Sequence, residues 1–208
     1  MTSFTLAQAR SWILASAPAI EKAATRLCEL DAAIGDGDHG ANMARGFTAV
    51  VKKLDGGADV STLGKLFKTV GMTLLSTVGG ASGPLYGGFF LALGKQAADA
   101  EAIPAGDLAA LLGAGLADIR RRGKAELGDK TMVDALSPAL EAMAAGKSLA
   151  DATAAAAKTA REAATATAPL LARKGRASYL GERSIGHEDP GANSAALLLE
   201  TLAEVCKS

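Results

Sequence analysis

The sequence predicts an all-α protein, an eight-helix antiparallel up-and-down bundle or barrel with a functional site at one end. Three observations lead there. Hydrophobic residues are 49% of the 208 but aromatics only 4%, so the core must be built from Ala, Leu, Val, Ile and Met, a set that favours helices. Apolar positions recur at helical spacing, and strand signals are absent. Caps and Gly/Pro breaks then cut this pattern into eight segments.

In order, the expected helices span about 5–29, 41–53, 61–78, 84–98, 106–122, 132–145, 148–171 and 190–206. The first holds Trp12-Ile13-Leu14-Ala15 and keeps its period through Ile20 and Leu27; with only Arg10 ahead of that run it reads as a helix rather than a secretion signal. The second stops at Asp55-Gly56-Gly57, and the third and fourth flank Gly79-Gly80-Ala81-Ser82-Gly83-Pro84. The fifth follows Ala102-Ile103-Pro104, and the sixth starts after Asp129-Lys130-Thr131. The seventh is alanine-rich but punctuated by Leu149, Lys158, Arg161 and Glu162, and the eighth opens on Asp189-Pro190, a helix-start signature. With neither repeat nor linker, residues 1–208 read as one domain.

Composition removes several function classes. Lys plus Arg and Asp plus Glu are both 22, with no basic block or interleaved aromatics, so nucleic acid is not an expected partner. No apolar run approaches the roughly 18 residues of a membrane span, and Leu85–Leu93 is broken by Gly87 and Gly88. Cys28 and Cys206 have neither pairing nor metal spacing and read as small core residues in a reducing cytoplasm. Nucleophile-elbow and zinc-protease motifs are missing, as is the Walker phosphate loop.

The chemistry concentrates in the first connection. Gly35, Gly37 and Gly40 fit a G-x-G-x-x-G spacing, but Asp36 and Asp38 fill the variable slots and helical period, not a strand, precedes them. A carboxylate about 4 Å from a phosphate costs roughly 4 kcal/mol at an effective dielectric near 20. A cation resolves the conflict. Asp31, Asp36 and Asp38 are hard oxygen ligands suited to Mg²⁺ shared with substrate phosphates. Four positive charges on two Mg²⁺ against three aspartates leave charge for phosphate oxygens, a count that favours two ions. An EF-hand beginning at Asp36 would need Gly and Glu where Ala41 and Phe47 stand.

In an up-and-down bundle, odd-numbered connections share one end. Those are the aspartate loop, the 79–84 glycine loop, Gly123–Thr131, and a long stretch from Arg173 to Asp189. The glycine loop, with Ser82 near the cap and Pro84 in the first turn, offers backbone N–H groups to an anion. Gly123 permits close approach, and Met132 reads either as a base contact or as core packing. The fourth loop reads as a lid carrying Arg173, Lys174, Arg176 and Arg183, any of which can fork a phosphate. With two histidines in the chain, His39 and His187, phosphoryl transfer by positioning and metal charge fits better than nucleophilic hydrolysis.

Taken together, Asp31–Gly40, Gly80-Ala81-Ser82-Gly83-Pro84, Gly128-Asp129-Lys130-Thr131-Met132 and Gly175–Gly181 through Asp189-Pro190-Gly191 resemble the L subunits of bacterial dihydroxyacetone kinases. The resemblance implies an eight-helix barrel with a nucleotide at one rim, and two Mg²⁺ on Asp31, Asp36 and Asp38. It also implies ADP or ATP surrounded by His39, Gly40, Ala41, Asn42, Ala81, Ser82, Gly123, Met132, Arg176, Asp189, Pro190 and Gly191. Such subunits pass a γ-phosphoryl to dihydroxyacetone on a K subunit. In phosphotransferase-system versions a phosphoenolpyruvate-dependent M subunit recharges the tightly held ADP, and a free-standing L chain resembles that version. A kinase subunit for another small ketose or polyol stays open, as do a nucleotide sensor that binds a transcription regulator and a homodimer.

Overall fold

Eight helices run up and down around a common core in the computed structural model, which describes residues 2–207. They are α1 (Leu6–Ile34), α2 (His39–Asp55), α3 (Leu63–Thr77), α4 (Ser82–Ala97), α5 (Leu108–Gly123), α6 (Met132–Ala144), α7 (Leu149–Ala166) and α8 (Pro190–Cys206). Each packs on its chain neighbour and α8 returns to α1, which closes the ring into a barrel. Odd connections therefore meet at one rim, as expected.

Aromatic residues are scarce but gather in one place. Trp12, Phe47, Phe67, Phe89 and Phe90 stack or meet edge-on with centroids 5.2–6.5 Å apart. Trp12 Nε1 donates to the Leu198 carbonyl at 2.8 Å, pinning α1 to α8 through the core. Elsewhere small residues let backbones touch. A Cβ on Gly71 would lie 2.8 Å from the Gly87 carbonyl oxygen of α4, and one on Gly40 would lie 1.9 Å from the Ala24 carbonyl oxygen of α1.

The structure departs from the expected elements in four places. Two three-residue strands, β1 (Ser3–Thr5) and β2 (Ala102–Pro104), pair antiparallel with Phe4 opposite Ile103; three residues are too few to show a period. Phe4 is fully buried there and closes the end of the barrel away from the rim. Helix α1 runs to Ile34 instead of 29, so Asp31 stands on its last turn rather than in the loop. Helix α7 stops at Ala166 instead of 171, because a buried lysine takes the carbonyls of Thr167, Ala168 and Leu170. The long fourth connection contains a 3-10 segment, Arg176–Ser184, kinked at Gly181.

Cys206 is buried and Cys28 half-buried, and both are free thiols. Among the described residues no helix is long and apolar enough to cross a membrane.

Candidate functional site

The four rim connections surround a cavity of about 540 Å³. On its acidic side, Asp31 Oδ2 accepts hydrogen bonds from the backbone N–H groups of Asp38 (2.9 Å) and His39 (3.1 Å). One carboxylate oxygen thus clamps the aspartate loop and caps α2 from the neighbouring helix. Its second oxygen lies over Gly35, where a Cβ would sit 2.2 Å away. Glycine there keeps that oxygen approachable. Asp38 holds the N-cap position of α2 without making a side-chain cap bond. Oxygens of Asp31, Asp36 and Asp38 can lie within 4.8 Å of one another. A buried anchor, two exposed carboxylates and a glycine that clears the approach suit a hard divalent cation.

Opposite stands the N-terminus of α4. Its N-cap, Ala81, offers no side chain to the free backbone N–H groups. Ser82, expected near the cap, is the first helical residue, and its hydroxyl lies 3.0 Å from His39 Nδ1 instead. His39 Nε2 lies 2.8 Å from Ser194 Oγ, which lies 2.6 Å from Tyr86 Oη. Burial pushes the His39 pKa down, opposed by the charges of Asp31 and Asp38, and burial pushes the Tyr86 phenol well up.

The floor is set by α6, α8 and a buried cation. Thr131 caps α6 in a reciprocal capping box with Asp134. Lys130, 1% exposed, donates its ammonium to the Thr167, Ala168 and Leu170 carbonyls at 3.0–3.1 Å, where the C-terminal dipole of α7 favours positive charge. These bonds outweigh the strain of its left-handed backbone, φ +61°. Asp189 caps α8 through the Ala192 N–H at 2.7 Å. Burial raises its carboxyl to about 7, with Asp134 and Asp31 adding to the rise and the Ala192 N–H and Lys130 opposing it.

The lid is anchored at both ends, Arg173 N–H to the Asp129 carbonyl (3.0 Å) and Gly186 N–H to the Ala168 carbonyl (2.8 Å). Beneath it Ile34, Ala172 and Ala177 form a small apolar cluster with Leu180. Arg176 reaches across the cavity mouth to Asp36, 3.0 Å away.

Of the site residues expected from the sequence, Asp31, Asp36, Asp38, His39, Ala81, Ser82, Gly123, Met132, Arg176, Asp189, Pro190 and Gly191 line the cavity. Gly40, Ala41 and Asn42 stand just behind that wall. Gly40 packs on α1, Ala41 N–H donates to Cys28 Sγ (3.3 Å), and Asn42 Oδ1 accepts from Arg45. Lys174 lines the cavity, while Arg173 and Arg183 do not. Met132 is 4% exposed and belongs to both the core and the cavity wall. Leu85, Ile119, Tyr86 and Arg122 also line it, and sequence reasoning missed all four. Arg122 ends the basic run of α5 beside Gly123, a signal that was legible; the other three look like ordinary core positions.

Comparison with known proteins agrees with this geometry. The DAK2 domain matches residues 33–204, and the chain belongs to that family. It is 51% identical over 179 residues, 86% of each chain, to the ADP-binding subunit DhaL of the PTS-dependent dihydroxyacetone kinase of Lactococcus lactis. Identity is 43% over 209 residues, 99% of each chain, to DhaL of the PEP-dependent dihydroxyacetone kinase of Escherichia coli. L-erythrulose 1-kinase of Mycolicibacterium smegmatis is 37% identical over 181 residues, which span 86% of this chain and 32% of that enzyme. Among solved structures, the dihydroxyacetone kinase of C. freundii in complex with AMP-PNP and Mg²⁺ superposes with a TM-score of 0.74 at 29% identity. That match covers 98% of this chain and 34% of the other, so the chain spans about a third of that enzyme. The family resemblance carried by the four rim loops is borne out.

Proposed function

We propose that residues 1–208 act as one nucleotide-binding phosphotransfer domain, the ADP-binding subunit of a phosphoenolpyruvate-dependent dihydroxyacetone kinase working in the cytoplasm. The observation that carries this reading is the meeting, on one cavity, of three carboxylates able to hold divalent cations and a helix N-terminus with no side-chain cap. Asp31, Asp36 and Asp38 would hold two Mg²⁺, which when bound neutralise the charge shared by the β- and γ-phosphates. The chain's own groups do the rest. The N–H groups of α4 and the Ser82 hydroxyl receive phosphate oxygens, Arg176 closes over the mouth, and Leu85, Ile119 and Met132 offer an apolar wall to a base. Both ring nitrogens of His39 are engaged by serines, so His39 is not free to carry a phosphoryl group, and in this reading transfer proceeds directly to an acceptor presented at the rim.

The acceptor in this reading is dihydroxyacetone held on a K subunit, and an M subunit recharges the bound ADP. Identities of 51% and 43% to subunits of that system, against 37% to the erythrulose kinase, support it over another ketose. Mixing the chain with K and M subunits, phosphoenolpyruvate, Mg²⁺ and dihydroxyacetone yields dihydroxyacetone phosphate if the reading is right. Absence of product with saturating Mg²⁺ rejects it.

A further inference from the structure

In the cavity wall and just behind it, three helices are joined by one chain of side-chain hydrogen bonds: Tyr86 on α4, Ser194 on α8, His39 on α2, and back to Ser82 at the start of α4. Ser194 is fully buried outside the cavity lining and Tyr86, 2% exposed, meets the cavity only at its wall, whereas Ser82 opens onto it. We propose that Tyr86 and Ser194 are positioning residues which, through His39, turn the Ser82 hydroxyl into a donor aimed at the phosphate of the bound nucleotide. The inference rests on the nucleotide reading above and adds the device that orients one of its donors.

Proton counting leads to it. A serine hydroxyl has one hydrogen and can accept two bonds, and a neutral imidazole donates from one nitrogen and accepts at the other. Two arrangements fit the distances. In one, Ser194 donates to the Gly191 carbonyl at 3.1 Å; His39 Nε2–H then donates to Ser194, and Ser82 spends its hydrogen on Nδ1. Ser82 then presents only lone pairs to the cavity, which repel a phosphate. In the other, Tyr86 donates to Ser194, Ser194 donates to Nε2 at 2.8 Å, and Nδ1–H donates to Ser82 at 3.0 Å. Ser82 is then filled as an acceptor and its hydrogen points into the cavity. In the second arrangement Ser194 spends its hydrogen along the 2.8 Å contact to His39 rather than the 3.1 Å one to Gly191, and a helix carbonyl already served by the next turn is spared. All its donors run one way toward an anion, so each bond polarises the next.

The tautomer of His39 reads this directly. The chain has two histidines, and His187→Gln, an exposed change on the lid, leaves His39 alone in a nitrogen-15 spectrum. With MgADP bound, the expected signal is a protonated Nδ1 and an acceptor Nε2. The reverse tautomer overturns the proposal and needs no variant of the network. Calorimetry with MgADP supplies the second arm. Ser194→Ala and Tyr86→Phe each weaken binding about fivefold in the wild-type background and by less than about twofold once Ser82→Ala is present, since both act through that hydroxyl. Equal losses in both backgrounds mean a merely structural role and overturn the inference. Wild-type protein that binds no MgADP at all overturns the nucleotide reading itself, a distinguishable result.

Discussion

At the end of the barrel away from the cavity, helices begin conventionally: Thr5, Thr62 and Ser148 accept hydrogen bonds from the first turns of α1, α3 and α7, and a 3-10 turn at Ala105–Asp107 leads into α5. At the cavity end, α6 and α8 are capped likewise by Thr131 and Asp189. There α2 borrows its cap from Asp31 on another helix, and α4 has no side-chain cap at all. Backbone conformation divides in the same way. Gly37, Gly80, Lys124, Gly128, Lys130, Gly175, Gly181 and Gly186 have positive φ at the cavity end, against Gly57 and Ala98 at the other. The same helices and the same core serve both ends, so the contrast is not imposed by packing. Strained turns and an open helix terminus are tolerated where a ligand completes them.

The two ends should respond most differently to the same aspartate-to-asparagine change. Asp38→Asn removes one of the three carboxylates proposed to hold Mg²⁺ while leaving the α2 start intact, since its side chain makes no cap bond. Phosphotransfer in the coupled K and M assay should fall at least about a thousandfold, on the scale set by charge stabilisation of transferring phosphoryl groups, with an unchanged melting curve. Asp59→Asn, which breaks the Lys65 pair at the far end, should leave the rate unaltered. A retained rate in the Asp38 variant would mean that these carboxylates hold no catalytic metal.

Glycine to alanine draws the second contrast. Gly40→Ala forces a Cβ to 1.9 Å from the Ala24 carbonyl and should cost about 3 kcal/mol, a fall in Tm of roughly 6–12 °C for a chain of this size. Gly57→Ala, at φ +82° with open space around it, should cost only about 1 kcal/mol of backbone strain. Thermal melts of the two variants rank the effects, and equal losses would mean that α1 can move away from α2.

Asp189 gives the rim a pH dependence. In the folded chain its carboxyl titrates near 7, against about 4 when unfolded, so the folded state keeps a proton that the unfolded state releases. Stability from this group is therefore full below about 4, falls as pH rises to about 7 and is level above. Asp189→Asn still caps α8 but does not titrate. Its advantage over the ligand-free wild type should grow by about 2.5 kcal/mol between pH 5 and 8 in urea unfolding. Parallel curves would show Asp189 ionised throughout.

Much of this was legible in the sequence, and the exceptions are physical. Helix count, rim placement and the acidic loop follow from period and punctuation, which are local. What escaped depends on partners far along the chain. Asp31 joins α1 because its carboxylate folds back onto residues seven and eight positions later. Helix α7 ends early because of Lys130, 37 to 40 residues upstream of the carbonyls it takes. Trp12 and Leu198, or His39 and Ser194, meet across 186 and 155 residues. Ser194 and Tyr86 sit in helical periods indistinguishable from core, so only the assembled barrel reveals their chain of hydroxyls. The strand pair is invisible for the opposite reason, being too short to carry any pattern.

The smallest predicted effect tests whether the lid acts by geometry or by bulk charge. Arg176 and Asp36 are 69% and 40% exposed, and an ion pair so open to water contributes little, so Arg176→Ala should leave the ligand-free protein within about 0.5 kcal/mol of wild type. If the same guanidinium faces phosphate in the MgADP complex, as proposed, its loss should weaken binding about fivefold to tenfold. Arg176→Lys should recover only part of this, because an ammonium cannot fork two oxygens. Arg183, on the same 3-10 segment but outside the cavity wall, supplies the control, and Arg183→Ala should change affinity by less than about twofold at moderate salt. If the two arginines cost the same and both effects fade as salt rises, the lid merely lends positive potential. If only Arg176 matters and salt leaves most of its effect, the contact is direct, and the lid belongs to the site as a built part of it.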